Sequence, residues 1–204
     1  MVLIGFVGEM RSGKTLFMTI ALYEDWLDKK QILTNYSLNI PYNELTVDMI
    51  EDSIKYDESD LFTDKSIGID EIHLWMDART GSAKRNRLLS YFITQSGKLD
   101  TKIYWTSQFL RQVDVRLRAN TSILYKTSRY ILKNGQKIYL SQNDKRTDFY
   151  IDADKYILKE TPRGMRWVYE KTLTLKNAKS YFKLYDTKQK IIYTDLRGNE
   201  GDKR

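Results

Sequence analysis

The sequence predicts an α/β protein. A mostly parallel sheet flanked by helices occupies residues 1–127, and a basic, aromatic-rich β extension over 128–204 packs on that core. Three observations carry the prediction. Residues 2–15 are an apolar run that breaks into Gly-x-x-x-x-Gly-Lys-Thr ahead of an amphipathic segment. Ser66 to Glu71 is a second short apolar run ending in two adjacent carboxylates, and Asp70 lies 56 residues after Lys14, with room between for a helix, a strand and a helix. From Ser128 the pattern turns to short alternating segments separated by turn pairs.

Composition sets the outer limits. The chain has 204 residues, no cysteine and a single histidine, which excludes disulfides and cysteine-ligated zinc and disfavours most other metal sites. Apolar runs are far short of a membrane span and no signal sequence opens the chain, so a soluble cytoplasmic protein without stable membrane insertion is expected. The net charge of +7 is unevenly distributed. Residues 1–127 carry 16 Lys/Arg against 17 Asp/Glu, whereas residues 128–204 carry 18 against 10. Residues 23–64 hold eleven acids and three bases, and residues 79–118 hold nine bases and two acids. That polarity suits a protein presenting a basic face to a polyanion.

Val2 to Val7 is the first strand, and it delivers the chain to a P-loop. Gly8 and Gly13 stand where a Cβ would block the approach of backbone to phosphate. The N–H groups of Gly8, Glu9, Met10, Arg11, Ser12, Gly13, Lys14 and Thr15 form the cradle, aided by the positive end of the next helix. Lys14 reaches the outer phosphates and the Thr15 hydroxyl is placed to ligate Mg2+, so the expected ligands are a nucleoside triphosphate and that cation. Leu16, Ile20, Tyr23 and Leu27 recur at helical spacing and are expected in the core, with Lys29 and Lys30 closing the helix. Residues 31–35 form a short strand, 36–41 a connector, and 45–54 a helix within an acidic stretch.

The strand from Ser66 to Ile69 ends in Asp70, which would hold Mg2+ opposite Thr15, and Glu71, which would polarise the attacking water as general base. His73, between Ile72 and Leu74, is expected to be a packed neighbour of the site rather than a catalytic group. Residues 77–87 lack an apolar period and are expected to form a solvated loop. Its Arg79, Arg85 and Arg87 are the candidates for an arginine acting on a neighbouring subunit's nucleotide. A helix around Leu88 to Ile93 ends at Gly97. The strand from Lys102 finishes at Gln108, a candidate sensor of the terminal phosphate, because α/β sheets place ligands at the carboxyl ends of strands. Val113 to Arg118, if extended, puts Arg116 and Arg118 on one side as a second source of a trans-acting arginine. Residues 122–126 close the core sheet.

In the extension, Asn134-Gly135 between Tyr130-Ile131-Leu132 and Ile138-Tyr139-Leu140 predicts a hairpin. Pro162-Arg163-Gly164 turns a second one ahead of Trp167-Val168-Tyr169. Residues 181–187 precede a lysine-rich tail.

Gly8 to Thr15, Ile69-Asp70-Glu71, Trp105-Thr106-Ser107-Gln108 and Val113-Asp114-Val115-Arg116-Leu117-Arg118 together resemble the FtsK/HerA-like P-loop ATPases. Within them the chain is similar to the small genome-packaging NTPases of membrane-containing icosahedral viruses, including those of turreted icosahedral archaeal viruses. The resemblance implies a RecA-like core and a homo-oligomeric ring with ATP between neighbours and an arginine finger in trans. It further implies translocation of double-stranded DNA into a preformed viral capsid at its portal vertex, in the host cytoplasm or associated with the virion. Lys14, Thr15, Asp70, Glu71 and Gln108 carry over by position. Relatives usually have an arginine before the Gln strand, where this chain has Gly97-Lys98-Leu99-Asp100, so the finger stays among Arg79, Arg85 and Arg87. Leu184-Tyr185-Asp186-Thr187 also resembles the tails of zonula-occludens-toxin-like assembly ATPases, whose partner is protein. A small nucleotide or nucleoside kinase is the further alternative, disfavoured by Glu71 because transfer to a bound hydroxyl or phosphate needs no water-polarising base.

Overall fold

β1 (Val2–Val7) alternates its side chains between two apolar layers, and the rest of the molecule is built outward from it. After β1 come α1 (Lys14–Leu27), β2 (Gln31–Thr34), β3 (Asn43–Glu44), α2 (Val47–Tyr56), β4 (Lys65–Ile69), α3 (Lys84–Ser96), β5 (Lys102–Ser107) and α4 (Val115–Asn120). β6 (Ile123–Lys133), β7 (Gln136–Tyr139), β8 (Tyr150–Thr161), β9 (Gly164–Leu175) and a 3-10 segment, Ala178–Leu184, complete the chain. The computed structural model describes residues 2–56, 59–80, 84–146, 148–162 and 164–186. The lysine-rich tail and the Arg163 turn position lie outside them.

The strands form one sheet in the order β3-β2-β4-β5-β1-β6-β8-β9, with β7 paired to the far half of β6. β3, β2, β4, β5, β1 and the start of β6 are parallel, so their carboxyl ends share one edge of the sheet. One face is covered by α2, α3 and α4, whose Ile50, Phe92 and Leu117 pack on Leu3, Ile67, Ile103 and Trp105. The other face takes α1, whose Met18 and Leu22 meet Phe6, Ile32 and Tyr104. Among the described residues no helix is long and apolar enough to cross a membrane.

Trp105 is fully buried, and the room for it comes from Gly5, its partner in the β1–β5 register. A Cβ at Gly5 would collide with the indole ring, which is fixed in place by its Nε1–H donating to Thr121 Oγ1 at 3.2 Å. Gly5→Ala should therefore cost about 1–3 kcal/mol, the usual penalty for overpacking a filled core. The corresponding fall in melting temperature is about 2–4 °C per kcal/mol for a chain of this size. A variant melting with the parent would show that the indole can shift.

Four expectations are corrected. On α1 the core-facing stripe is Met18, Leu22 and Asp25, while Leu27 is 53% exposed. Leu16 is buried as expected, but together with Ile20 it belongs to a second cluster with Ile151 of β8 and Ala178 of the C-terminal 3-10 segment, so the helix is covered on two sides. Residues 77–87 are not one loop, because Ala78–Thr80 is a 3-10 turn and α3 already begins at Lys84. Val113 to Arg118 is not extended throughout: Asp114 caps α4, accepting from Arg116 N–H at 2.8 Å. Arg116 also folds back on Asp114 through its guanidinium, Nη2 to Oδ2 at 2.8 Å.

β6 runs unbroken from 123 to 133, so the expected limit at residue 127 falls inside a strand. β8 and β9 extend the same sheet antiparallel to β6. The β6–β7 turn has both Asn134 (φ 52°) and Gly135 (φ 78°) in the left-handed region, as a two-residue hairpin requires.

Candidate functional site

The loop after β1 has the backbone a phosphate cradle needs. Gly8 (φ 156°) and Gly13 (φ 98°) hold conformations that side chains resist, and a Cβ at Gly8 would sit 2.6 Å from the Thr127 carbonyl. Ser12 Oγ and Thr127 Oγ1 share a 2.6 Å hydrogen bond, tying the loop to β6. Gly13 precedes α1 without a side-chain cap, and no acid occupies the first turn, so the helix N-terminus keeps free N–H groups and positive potential. Lys14 is buried, its ammonium donating to the Glu9 carbonyl at 3.0 Å. Burial lowers its pKa, partly offset by the nearby Glu71 and Asp70.

Asp70 and Glu71 meet this cradle because β4 lies two strands from β1, with β5 between them. Asp70 Oδ1 accepts from Thr15 Oγ1 at 2.9 Å and from Thr106 Oγ1 at 2.5 Å. Asn35, just past β2, clasps the Asp70 backbone from both ends, Oδ1 accepting its N–H at 2.8 Å and Nδ2 donating to its carbonyl at 3.0 Å. Glu71 sits in the left-handed region (φ 50°), its N–H donating to Thr106 Oγ1 at 2.9 Å. Its Oε2 is buried and accepts no hydrogen bond among the described residues. His73 Nδ1 approaches Oε2 to 3.3 Å, but burial lowers the imidazole pKa, so at neutral pH this contact is a neutral ring beside a carboxylate and not an ion pair. Burial raises the pKa of both carboxylates, and for Glu71 the charge of Asp70 adds to the rise.

Thr106, Asn35 and His73 were not singled out as functional by sequence. A threonine inside an apolar strand and an asparagine after another carry no local signal, since their role depends on which strands become neighbours. His73 is the expected neighbour of the site, and the structure puts it against Glu71.

The arginines divide differently. Arg79 is exposed and grips Asp77 of its own chain, Nη2 to Oδ2 at 2.7 Å and Nε to Oδ1 at 3.1 Å. Arg87 projects to solvent from the first turns of α3, and the side chain of Arg85 lies outside the described residues. Gln108 follows β5 but lines a largely apolar cavity of about 620 Å³ on the Gly8-Glu9-Met10 side of the loop. Lys14, Thr15 and Asp70 open instead into a cavity of about 540 Å³ that is also lined, from later in the chain, by Arg129, Phe149, Ile151, Phe182 and Tyr185.

Hard oxygen donors are what this site offers a metal. Thr15 Oγ1 and the Asp70 carboxylate stand together, and a half-buried carboxylate with no cation at hydrogen-bond distance among the described residues is a group that a divalent ion would satisfy. Among the described residues no cluster of three or more His, Asp or Glu could cage a metal. Such a donor set fits Mg2+, which is held by one or two carboxylates together with phosphates and water.

No protein-family model and no curated protein matches the sequence. Solved structures do. The N-terminal domain of zonular occludens toxin from Neisseria meningitidis is 18% identical with a TM-score of 0.54, the match covering 91% of this chain and 100% of that one. The DNA-packaging ATPase from Sulfolobus turreted icosahedral virus is 11% identical with a TM-score of 0.51, covering 83% and 97%. The fold is that of the RecA-like P-loop NTPases, with extra strands added to the sheet.

Proposed function

We propose that the chain is an ATP-hydrolysing motor, working as a homo-oligomeric ring that moves double-stranded DNA into a viral capsid. The observation that carries the hydrolytic part is Glu71, whose Oε2 is buried beside the nucleotide cradle and accepts no hydrogen bond among the described residues. A carboxylate oxygen that accepts no hydrogen bond among the described residues, next to Asp70 and Lys14, is placed to accept a proton from water. The loop N–H groups and Lys14 bind and orient the phosphates, and Thr15 and Asp70 would hold Mg2+. That ion, when bound, supplies charge neutralisation at the transferring phosphoryl group. Thr106 fixes the two carboxylates relative to each other by bonding to Asp70 Oδ1 and to the Glu71 N–H. Of the candidates with described side chains, Arg87 is exposed and without an ion pair among the described residues, whereas Arg79 would first have to leave Asp77 to reach a neighbouring subunit.

The DNA partner is supported by the 18 Lys/Arg against 10 Asp/Glu beyond residue 127. Steady-state ATP hydrolysis is expected to rise with long duplex DNA, and log affinity for DNA to fall linearly with log salt at about −0.9 per phosphate neutralised. A second reading, an assembly ATPase acting on protein, is favoured by β9. This long edge strand exposes Met165, Val168, Tyr169 and Leu173 at 60%, 37%, 55% and 37%. Hydrolysis indifferent to DNA, with no DNA binding at low salt, would move the assignment there.

A further inference from the structure

The cavity lined by Lys14 and Thr15 is lined also by the rings of Tyr36, Phe149, Phe182 and Tyr185. Its volume of about 540 Å³ is in the range of small-molecule sites. Phe149, just ahead of β8, and Phe182, on the C-terminal 3-10 segment, both line it with their ring centroids 6.5 Å apart and planes inclined at 42°. A planar group inserted between two rings needs two van der Waals contacts, about 7 Å in all. The observed pair is a little closer than that and tilted, so a small shift of the rings together with a rotation would convert it into a slot.

The ring of Phe149 and the segment carrying Phe182 are both anchored. The Arg129 guanidinium stacks on Phe149 at 5.1 Å from the centroid, and it is itself buried, donating from Nη2 to the Ser141 carbonyl at 2.9 Å. The segment carrying Phe182 is pinned across α1 by Asn39, whose N–H donates to the Leu184 carbonyl at 2.8 Å and whose Nδ2 donates to the Lys183 carbonyl at 2.7 Å. Tyr185, bridged to Leu38, meets Tyr36 edge-on behind it.

We propose that Phe149 and Phe182 clamp the nucleobase of the bound triphosphate by stacking, so that the C-terminal extension completes the nucleotide site and accepts either purine. This rests on the P-loop reading above. A stacked base is held by its π-face, which every purine presents, and not by its hydrogen-bonding edge.

The test compares the Mg2+-dependent affinities of ATP, GTP and inorganic tripolyphosphate, measured by titration calorimetry on the full chain and on Phe182→Ala and Phe182→Trp. In the parent, ATP and GTP should bind within about tenfold of each other, and both more tightly than tripolyphosphate. Phe182→Ala should weaken ATP and GTP by about 10- to 100-fold, the range for one lost base–aromatic stack. Tripolyphosphate should be unaffected, and Phe182→Trp should retain both nucleotides. Unchanged ATP affinity in Phe182→Ala would overturn the clamp, as would an equal loss for ATP and tripolyphosphate, which would make Phe182 a packing residue only. Strong exclusion of GTP by the parent would overturn stacking as the means of selection. A parent that binds none of the three would instead overturn the P-loop reading on which the clamp depends.

Discussion

Glu71→Gln should lower kcat for ATP hydrolysis by about 10²- to 10⁴-fold, the range supplied by a positioned general base, with nucleotide affinity retained. Glutamine has the same shape and can keep the backbone geometry, including the N–H bond to Thr106 Oγ1, but its amide cannot take a proton from water. Phosphate release under saturating ATP, alongside a binding titration, checks both halves. The pH profile of the parent provides a second check with a definite sign. The active form is the carboxylate, and burial together with Asp70 raises the Glu71 pKa. The acid limb of kcat/KM should therefore lie above the usual glutamate value of about 4.3. It should be absent from whatever residual activity the variant shows. A variant as active as its parent would remove Glu71 from the mechanism and leave His73 as the neighbouring group to test.

How much of this was legible depended on whether a residue's role is set by its own chemistry or by its neighbours across the sheet. Gly8, Gly13, Lys14 and Thr15 could be placed because the phosphate cradle admits few residue types at those positions. Asp70 and Glu71 could be placed because an apolar run leading to two carboxylates has one geometric meaning once the P-loop is known. Thr106 could not, since it matters only because β5 lies between β1 and β4. Gln108 is expected at the terminal phosphate from its place after a strand, and in the structure it lines the cavity on the Gly8 side of the loop. α4 was missed because six residues are too few to establish a helical period, although Asp114 is a proper N-cap. The limit at 127 came from a change in composition, yet a sheet can change composition along a strand while its hydrogen-bond ladder continues. Likewise the second covered face of α1 depends on where the C-terminal segment docks, some 160 residues later in the chain.

Asp70→Asn should have opposite effects on the ligand-free and the nucleotide-bound protein. In the folded chain burial raises the Asp70 pKa in spite of hydrogen bonds from Thr106 and Thr15 and the charge of Lys14. For an acid shifted upward, the stabilising contribution is present below the unfolded pKa and is lost as pH rises through the folded one. At neutral pH the ionised carboxylate therefore weakens the empty fold. Asparagine keeps an oxygen for the Thr15 and Thr106 hydroxyls and carries no charge, so the unliganded variant should melt above its parent, with the gap widening from acid to neutral pH. Each kcal/mol relieved should appear as about 2–4 °C. With ATP and Mg2+ the order should reverse. A ligand at a thousand times its Kd adds about 4 kcal/mol to the native state, so the parent should gain on the order of 10 °C, while the variant, without the anionic oxygen that would hold the cation, should gain little. Melting curves with and without Mg-ATP at two pH values decide it. If the variant is the less stable when empty, or is stabilised by Mg-ATP as much as the parent, then Asp70 is a structural acceptor for two threonines and the metal is held elsewhere. If both effects appear, the strain of a buried, unneutralised carboxylate is what the nucleotide-bound cation relieves, and that relief links loading of the site to the stability of the sheet on which Asp70, Glu71 and Thr106 are mounted.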